Sequence, residues 1–299
     1  MRRWTARREH HMLTVGSLFS GAGLCDLGLH WAGLKHQWFC EIDPFCRAVL
    51  ARHWPGVPIH KDVTALKGPE LPPVDVLVGG FPCQDVSSAG SRAGVKIGTR
   101  SGLWYEYARL IGEIRPRYAI IENVRGLLSL GIEDVLQNLA EIGYDAEWEV
   151  LPAAALGAPH HRERVFVVAY PIGHGADGGR GLLSALERDL GDNKQHWRVC
   201  DWLGIRFDRQ GKASALEAYP APVLCRVDDG GALGLDGACR PLLDRRHKIG
   251  RVDPATARAW IPRLKALGNA ITPQQSYAIA ACILRVEGLP VRPLPPQAR

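Results

Sequence analysis

Residues 13–24 read Leu-Thr-Val-Gly-Ser-Leu-Phe-Ser-Gly-Ala-Gly-Leu, an apolar run that ends in a turn containing two glycines. The run at 13–19 predicts a buried β-strand, and the apolar spacing over 24–32 predicts a helix directly after it. The glycines allow the backbone of the turn to pass close to a ligand before the helix begins. A strand, a glycine turn and a helix in this order are typical of the first unit of an open α/β sheet.

The same alternation of strands and helices continues along the chain. Further strands are predicted at 37–41, 74–78, 118–121 and 164–170, and further helices at 44–54, 103–114 and 132–142. Strands this apolar are covered on both faces, which is the arrangement of parallel strands flanked by helices. The sequence therefore predicts an α/β fold with a Rossmann-like, doubly wound, mostly parallel sheet.

Changes in composition divide the chain into five segments. We expect a disordered basic tail at 1–11, a main domain at 12–171 and a Gly-rich, charged region at 172–262. A glycine turn and a helix over 264–285, with Pro273 in the first turn, return 263–289 to the main domain. Residues 290–299 form a proline-rich tail that we also expect to be disordered. We expect that a start at Met12 would leave the main domain complete.

Overall composition excludes some classes of protein. The 299 residues contain no long uninterrupted apolar run, so no membrane span is expected. The eight cysteines form no CxxC pair and the N-terminus lacks an apolar signal core, which together favour the cytoplasm. Residues 240–265 carry eight Arg or Lys against two Asp. Such a basic stretch often binds along the phosphate backbone of a nucleic acid, although a solvated protein surface explains it almost as well.

The turn after the first strand has the character of a cofactor cradle. Asp26 stands where the third glycine of a dinucleotide fingerprint would fall, so a nucleoside cofactor without a pyrophosphate fits better. Glu41, at the end of the second strand, is placed to bind ribose hydroxyls, and Asp62 could accept from an adenine amino group. The alternative is an ordinary turn at Gly21 and Gly23, with Glu41 beside a helix N-cap.

Candidate reactive residues follow the neighbouring strands. Cys83 lies in Gly-Phe-Pro-Cys-Gln at 80–84, at the carboxyl edge of the sheet, where a purely structural cysteine has no special reason to be. Glu122 ends the next strand, and a carboxylate there is costly to bury unless it is bonded or used. Arg162 and Arg164 would share one face of an extended segment. Each feature alone is a weak signal.

In this order, the motifs resemble those of the DNA cytosine-C5 methyltransferases, in a compact prokaryotic or phage form, over nearly the whole chain. The resemblance implies S-adenosyl-L-methionine as cofactor, with S-adenosyl-L-homocysteine as product. It implies that Cys83 adds to C6 of a cytosine and that Glu122, in its protonated form, bonds N3. The arginine pair would brace the base and a flanking phosphate, and Asn123 would hold Glu122 and the loop. The correspondence covers 19–23, Glu41, Asp62, 82–84, 122–124, Arg162, Arg164 and 268–270.

The resemblance also implies a set of cofactor contacts. Ile42 stands where the family often has an aromatic residue that stacks on adenine, and His160 stands where it commonly has Gln. No metal is expected, because the cysteines and histidines of the 172–262 region match no zinc-ligand spacing. The implied cofactor contacts are Phe19, Ser20, Gly21, Ala22, Gly23, Leu24, Glu41, Ile42, Asp62, Val63, Pro82, Leu103, Asn269 and Ala270.

Double-stranded DNA is the implied partner. The target base must be flipped out of the duplex to be reached, and 85–101 is interpreted as a loop closing over it. The 172–262 region would read the DNA sequence, in a monomer acting in the cytoplasm of a bacterium or phage-infected host. A cognate restriction endonuclease encoded nearby is a further implied partner. The implied DNA contacts are Gln84, Ser87, Arg100, Arg206, Arg209, Arg245 and Arg246.

Two alternatives to this interpretation stay open. An RNA methyltransferase acting on tRNA cytosine could use the same scaffold and the same residues. A catalytically silent DNA-binding relative is a second alternative, against which the intact Cys83, Glu122 and arginine pair argue. A dinucleotide oxidoreductase is excluded by the missing third glycine and by the Pro82-Cys83 site.

Overall fold

A computed structural model describes residues 12–82, 101–156, 162–173, 183 and 271–294. Strands and helices alternate through most of these ranges, with short 3-10 turns at Val63–Ala65, Gly68–Glu70, Ser101–Leu103 and Ala153–Leu156. The strands are β1 Thr14–Leu18, β2 Lys35–Cys40, β3 Ile59–His60, β4 Val76–Gly79, β5 Tyr118–Val124, β6 Tyr144–Pro152 and β7 Glu163–Pro171. The helices are α1 Leu24–Ala32, α2 Pro44–His53, α3 Trp104–Ile114, α4 Leu127–Leu130, α5 Ile132–Glu141 and α6 Pro273–Val286.

The strands that the structure describes form one sheet in the order β3-β2-β1-β4-β5-β7-β6. The five strands from β3 to β5 pair in parallel, whereas β7 runs antiparallel to both β5 and β6. Chain order reverses at β1, as it does in doubly wound sheets. The predicted Rossmann-like, mostly parallel sheet is therefore confirmed. Strand β6 was not predicted, and β5 extends three residues beyond the predicted end at residue 121.

Helices cover both faces of the sheet. Along β4, Val76 and Val78 pack into one apolar cluster and Leu77 into another, because alternate strand side chains point to opposite faces. The first cluster contains side chains of α1 and α6, and the second contains side chains of α3 and α5. This double burial explains why the parallel strands are continuous apolar runs in the sequence.

Helices α1 and α6 cross in close contact next to the site. Ser276 of α6 donates a hydrogen bond from Oγ to the carbonyl oxygen of Cys25 in α1, at 2.7 Å. Gly28 faces the same crossing, where an added Cβ would lie 2.0 Å from the carbonyl oxygen of Pro273. Only a residue without a side chain allows this approach. The crossing brings the start of α6 beside the first turn of α1.

Replacing Gly28 by alanine should therefore destabilise the fold, by about 1–3 kcal/mol, because the added methyl forces the two backbones apart. Urea unfolding followed by circular dichroism measures the change. Gly112→Ala in α3 is the matched control, since its Cβ would meet only Ile142, at 3.8 Å. That helix-interior substitution should be neutral or stabilising. Equal stability of the two variants would contradict the proposed close approach.

The chain after α6 folds back over the main domain. The backbone N–H of Arg292 donates to the carbonyl oxygen of Ala32 at 3.1 Å, and the Tyr277 hydroxyl donates to the Arg292 carbonyl at 2.7 Å. Leu289, Val291 and Leu294 pack against the apolar cluster under α1 and α6. The expectation of disorder is thus wrong for residues 290–294, because their apolar side chains and backbone groups find partners. Proline content alone did not reveal this packing.

Several expectations lie outside the described residues. These are the basic tail at 1–11, the loop at 85–100, nearly all of 172–262, and the glycine turn at 264–270. Of the predicted helix over 264–285, the part from Pro273 onward is observed, with proline at its first position as expected. Among the helices that the structure does describe, none is long and apolar enough to cross a membrane.

Candidate functional site

A cavity of about 780 Å³ lies at the carboxyl ends of the parallel strands. This is the edge at which doubly wound sheets bind ligands. Among the predicted cofactor contacts, the cavity is lined by Phe19, Ser20, Gly21, Ala22, Leu24, Glu41, Ile42, Asp62, Val63, Pro82 and Leu103. Asn269 and Ala270 lie outside the described residues. The structure thus brings together residues from five separate parts of the sequence.

The glycine turn between β1 and α1 forms one wall of the cavity. Gly21 and Gly23 have φ angles of 54° and 80°, in the left-handed region that favours glycine. Gly23 packs against α2 rather than toward the cavity, because a Cβ there would lie 2.7 Å from the Trp54 ring. Glycine is therefore needed at position 23 for close packing of the turn against α2. Gly21, in contrast, faces the cavity.

Glu41 is buried where β2 ends and holds the glycine turn in place. Its carboxylate accepts hydrogen bonds from the backbone N–H of Gly21, at 2.7 Å, and of Asp43, at 2.8 Å. Asp43 in turn caps α2 by accepting from Phe45 and Cys46. Both interpretations of the sequence therefore have a counterpart here: Glu41 neighbours a helix N-cap and also lines the cavity.

The far side of the cradle combines one acidic and one apolar residue. Asp62 is exposed and accepts hydrogen bonds from the Thr64 backbone N–H at 2.9 Å and hydroxyl at 2.8 Å. Ile42 is 74% exposed although its side chain is large and apolar. An exposed apolar side chain on a cavity rim offers a surface for a flat, apolar ring.

Glu122 lies on the floor of the cavity, within β5 rather than at its end as predicted. It pairs across the sheet with Phe166 of β7, and its Oε1 accepts from Nε of Arg164 at 2.9 Å. Burial raises the pKa of Glu122 to about 7, against the opposing effect of the Arg164 and Arg162 charges. Near neutral pH this carboxyl can therefore carry a proton or release one.

Asn123 connects β5 to the segment that leads into Cys83. Its Nδ2 donates to the carbonyl oxygen of Phe81 at 3.2 Å, and its Oδ1 accepts from the backbone N–H of Val124 at 2.9 Å. Pro82, the next residue after Phe81, lines the cavity. Cys83 itself lies outside the described residues, as do the predicted DNA contacts Gln84, Ser87, Arg100, Arg206, Arg209, Arg245 and Arg246.

The arginine pair does not form the regular extended face that its spacing predicted. Arg164 belongs to β7, but Arg162 precedes that strand and has a φ angle of 28°. Burial, followed by the charge of Arg164, lowers the pKa of Arg162 from its usual value. Both guanidinium groups nevertheless act electrostatically on Glu122, so the two arginines and the carboxyl form one charged cluster.

Two buried polar groups near the site were missed by the sequence analysis. His36 Nε2 and Asp26 Oδ1 lie 3.0 Å apart, both fully buried, under the first turn of α1. Gln275 of α6 is also fully buried and bonds four groups. Asp26 and Gln275 each stand among apolar residues of a helix, which was the available signal for them, whereas His36 lies in β2. Within the described ranges, no group of three His, Cys, Asp or Glu side chains could hold a metal ion.

A doubly wound sheet with a lined cavity at its parallel-strand edge defines a ligand-binding α/β domain. The model of the C-5 cytosine-specific DNA methylase family matches residues 13–193, which is more than half of the chain. The chain therefore belongs to that family, as its resemblance indicated.

Individual relatives match about half of the chain. The Type II methyltransferase M2.BsuMI of Bacillus subtilis (strain 168) is 39% identical over 165 residues, covering 52% of this chain and 42% of the relative. The Type II methyltransferase M.FnuDI of Fusobacterium nucleatum is 37% identical over 158 residues, covering 52% and 46%. The chain thus spans less than half the length of these relatives. The crystal structure of the S. pombe Dnmt2 methyltransferase overlaps 54% of this chain and 50% of its own, at 20% identity and a TM-score of 0.44.

Proposed function

We propose that this protein transfers a methyl group from S-adenosyl-L-methionine to C5 of a cytosine in double-stranded DNA. The observation that carries the proposal is the Glu122–Arg164 ion pair on the floor of the cavity, in a chain of the cytosine-C5 methylase family. Strand β5, which carries Glu122, pairs with β4, and the chain after β4 leads through Pro82 to Cys83 in the sequence. A base that enters the cavity would therefore meet the Glu122 carboxyl, with the Cys83 thiol as the proposed nucleophile.

The cradle fits a nucleoside cofactor with a cationic tail. Glu41 can accept from ribose hydroxyls, Asp62 from an adenine amino group, and Ile42 offers an apolar contact to the ring. The turn at 19–24 presents backbone without the phosphate-binding fingerprint of dinucleotide sites. When bound in this cradle, S-adenosyl-L-methionine would supply an electrophilic methyl group. The other proposed contacts are the turn residues Phe19, Ser20, Gly21, Ala22, Gly23 and Leu24, together with Val63, Pro82, Leu103, Asn269 and Ala270.

The proposed reaction uses Cys83 as the nucleophile and Glu122 as the acid. The Cys83 thiolate adds to C6 of cytosine, and the displaced electron pair makes C5 nucleophilic. Protonated Glu122 donates to N3, where negative charge would otherwise develop during the addition. After methylation, the proton on N3 returns to Glu122, a base removes the proton on C5, and the C6–S bond breaks, which releases the thiolate and restores the ring. S-adenosyl-L-homocysteine is the second product.

Arg164 keeps the Glu122 carboxyl oriented, and Arg162 adds a second positive charge to the base pocket. Asn123 holds the backbone before Cys83 through its bond to Phe81. These contacts fix the reacting groups before substrate enters, which is how positioning lowers a barrier. The proposed catalytic set is therefore Cys83 and Glu122, with Arg162, Arg164 and Asn123 in support.

The remaining parts of the proposal concern DNA. Residues 12–171 would form the catalytic and cofactor-binding domain, 172–262 the target-recognition region, and 263–289 the returning segment. The base would be flipped into the cavity, since C5 cannot be reached inside a duplex. Arginines of the 172–262 region would read guanine edges or contact phosphates. The protein would act as a monomer in the cytoplasm, with a cognate endonuclease as a further partner.

Methyl transfer from tritiated S-adenosyl-L-methionine tests the proposal directly. Purified full-length chain is incubated with duplex DNA or with tRNA, and the label in each nucleic acid is counted. Label in cytosine of the DNA is the expected result. Label in tRNA alone would replace the proposal with the RNA methyltransferase alternative. Label in neither, from folded protein that binds DNA, would favour the catalytically silent relative.

Cofactor affinity should depend strongly on Glu41. Glu41→Ala removes the acceptor for Gly21 and Asp43 as well as the proposed ribose contact, and charged hydrogen bonds are worth about 1.5–3 kcal/mol, so a loss of about 10- to 100-fold is expected. Isothermal titration calorimetry with S-adenosyl-L-methionine measures it. Glu70→Ala, which removes an exposed carboxylate paired with Lys67, is the control. Equal affinities for both variants would remove Glu41 from the cofactor site.

A further inference from the structure

Gln275 uses all of its hydrogen-bonding capacity in a fully buried position at the start of α6. Its Oε1 accepts from the backbone N–H and the hydroxyl of Thr272, at 3.1 and 3.0 Å, and so caps the helix. Its Nε2 donates to the carbonyl oxygen of Leu151 at 2.6 Å and to that of Arg162 at 3.1 Å. One amide therefore joins α6, the end of β6 and the residue before β7.

The two carbonyls held by Gln275 bracket Arg164. Leu151 is the residue paired with Arg164 across the β6–β7 ladder, and Arg162 lies two positions before it. The backbone N–H of Ala153 also reaches the Arg162 carbonyl, at 3.4 Å, so Gln275 provides the shorter of these two contacts. The amide thus fixes the backbone on both sides of the arginine that bonds Glu122.

Arg162 needs such support because its backbone is strained. Its φ angle of 28° is rare for a residue with a side chain and persists only where surrounding contacts maintain it. Without the Gln275 donor, the carbonyl would lose a buried partner and the residue could relax to a negative φ. The start of β7 would then shift, and both guanidinium groups would move relative to Glu122.

We propose that Gln275 is a positioning residue, which sets the placement of the Arg162 and Arg164 guanidinium groups against the Glu122 carboxyl. The expected effect of Gln275 on kcat rests on the proposed methyl transfer. Its effect on the position of the two arginines does not. It also gives the last helix a role at the reaction centre: a residue more than 100 positions along the chain adjusts the arginine pair.

The charged groups that face Glu122 make this placement measurable. Arg164 and Arg162 act on it from the β7 side and lower its pKa, and the charge of Glu122 in turn raises the pKa of the Cys25 thiol in α1. If the guanidinium groups move away, their stabilisation of the carboxylate weakens, so the pKa of Glu122 must rise. A general loss of stability would not change this titration in the folded protein.

The test compares Gln275→Met, which removes both donors at similar volume, with Gln274→Met, a change at the neighbouring buried glutamine of the same helix turn. The Glu122 carboxyl is titrated by ¹³C NMR in full-length protein labelled at glutamate carboxyls and assigned with Glu122→Gln. We expect Gln275→Met to move the titration to higher pH and to lower kcat by about 10- to 100-fold. Gln274→Met should leave the titration unchanged.

Gln275→Glu provides a second variant. A protonated carboxyl can donate to one of the two carbonyls, so its activity relative to wild type should rise as the pH falls. If Gln275→Met does not fold, the titration of the Glu122 carboxyl is measured in Gln275→Glu instead. An unchanged Glu122 titration in a folded Gln275 variant would overturn the proposal, whatever happens to kcat. If the wild type transfers no methyl group, the proposed function fails, while the titration still decides the role of Gln275.

Discussion

Replacing Cys83 by alanine should abolish methyl transfer, lowering kcat by about 10⁴-fold or more, which is the scale of losses when a covalent nucleophile is removed. The reason is chemical: without addition at C6, the C5 carbon of cytosine has too little electron density to attack a methyl group. Affinity for S-adenosyl-L-methionine should stay within about twofold, because the cradle does not depend on the thiol. Single-turnover assays and calorimetry measure the two quantities separately.

Cys282→Ala is the matched control for this loss. Cys282 is a buried cysteine of α6 in the apolar cluster under α1, so the substitution tests thiol removal outside the proposed chemistry. It should retain activity near that of the wild type, with a modest loss of stability from the smaller side chain. If Cys83→Ala kept a substantial part of wild-type turnover, the covalent mechanism would have to be abandoned.

Glu122→Gln should have the second-largest effect, and it should also change how activity depends on pH. Burial raises the pKa of Glu122 to about 7, so the protonated form dominates below that pH and the carboxylate above it. The mechanism uses the protonated form, and kcat/KM of the wild type should therefore fall as the pH rises through about 7. Glutamine cannot pass a proton to N3, so kcat/KM should drop by about 10²- to 10⁴-fold.

The pH profile separates this role from a loss of packing. In Glu122→Gln the decline above about pH 7 should disappear, because the titrating group is gone. Glu133→Gln, at an exposed position of α5, should keep both the rate and the decline. A Glu122→Gln variant that retained the wild-type pH profile would show that another group titrates.

Much of the fold could be predicted because buried parallel strands leave a strong signal. Helix α1 was predicted with its observed bounds, since its apolar stripe begins directly after the glycine turn and ends at Gly33. Strand β6 was missed although Asp145, Glu147 and Glu149 alternate with less polar residues, which is the pattern of an edge strand with one solvated face. The antiparallel direction of β7 was missed as well. The sequence of one strand does not specify which strands it pairs with or in which direction.

Many of the residues that line the cavity could be predicted from the sequence, but the contacts that they make could not. Residues at the ends of successive strands meet because the fold is doubly wound, so Glu41, Asp62 and Glu122 could be placed at one edge. The left-handed backbone of Arg162 and the partners of Gln275 depend on contacts between residues distant in sequence. No local pattern specifies such contacts, and hence the link between α6 and the arginine pair required the structure.

The most direct test of the account is bisulfite sequencing of plasmid DNA from a methylation-deficient bacterial host that expresses this chain. Parallel cultures express the Cys83→Ala variant at matched protein levels. The account predicts protected cytosines in one consistent sequence motif, present with the wild-type chain and absent with the variant. Plasmid DNA that stays unmethylated in both cultures, while the folded protein still binds S-adenosyl-L-methionine, would contradict it.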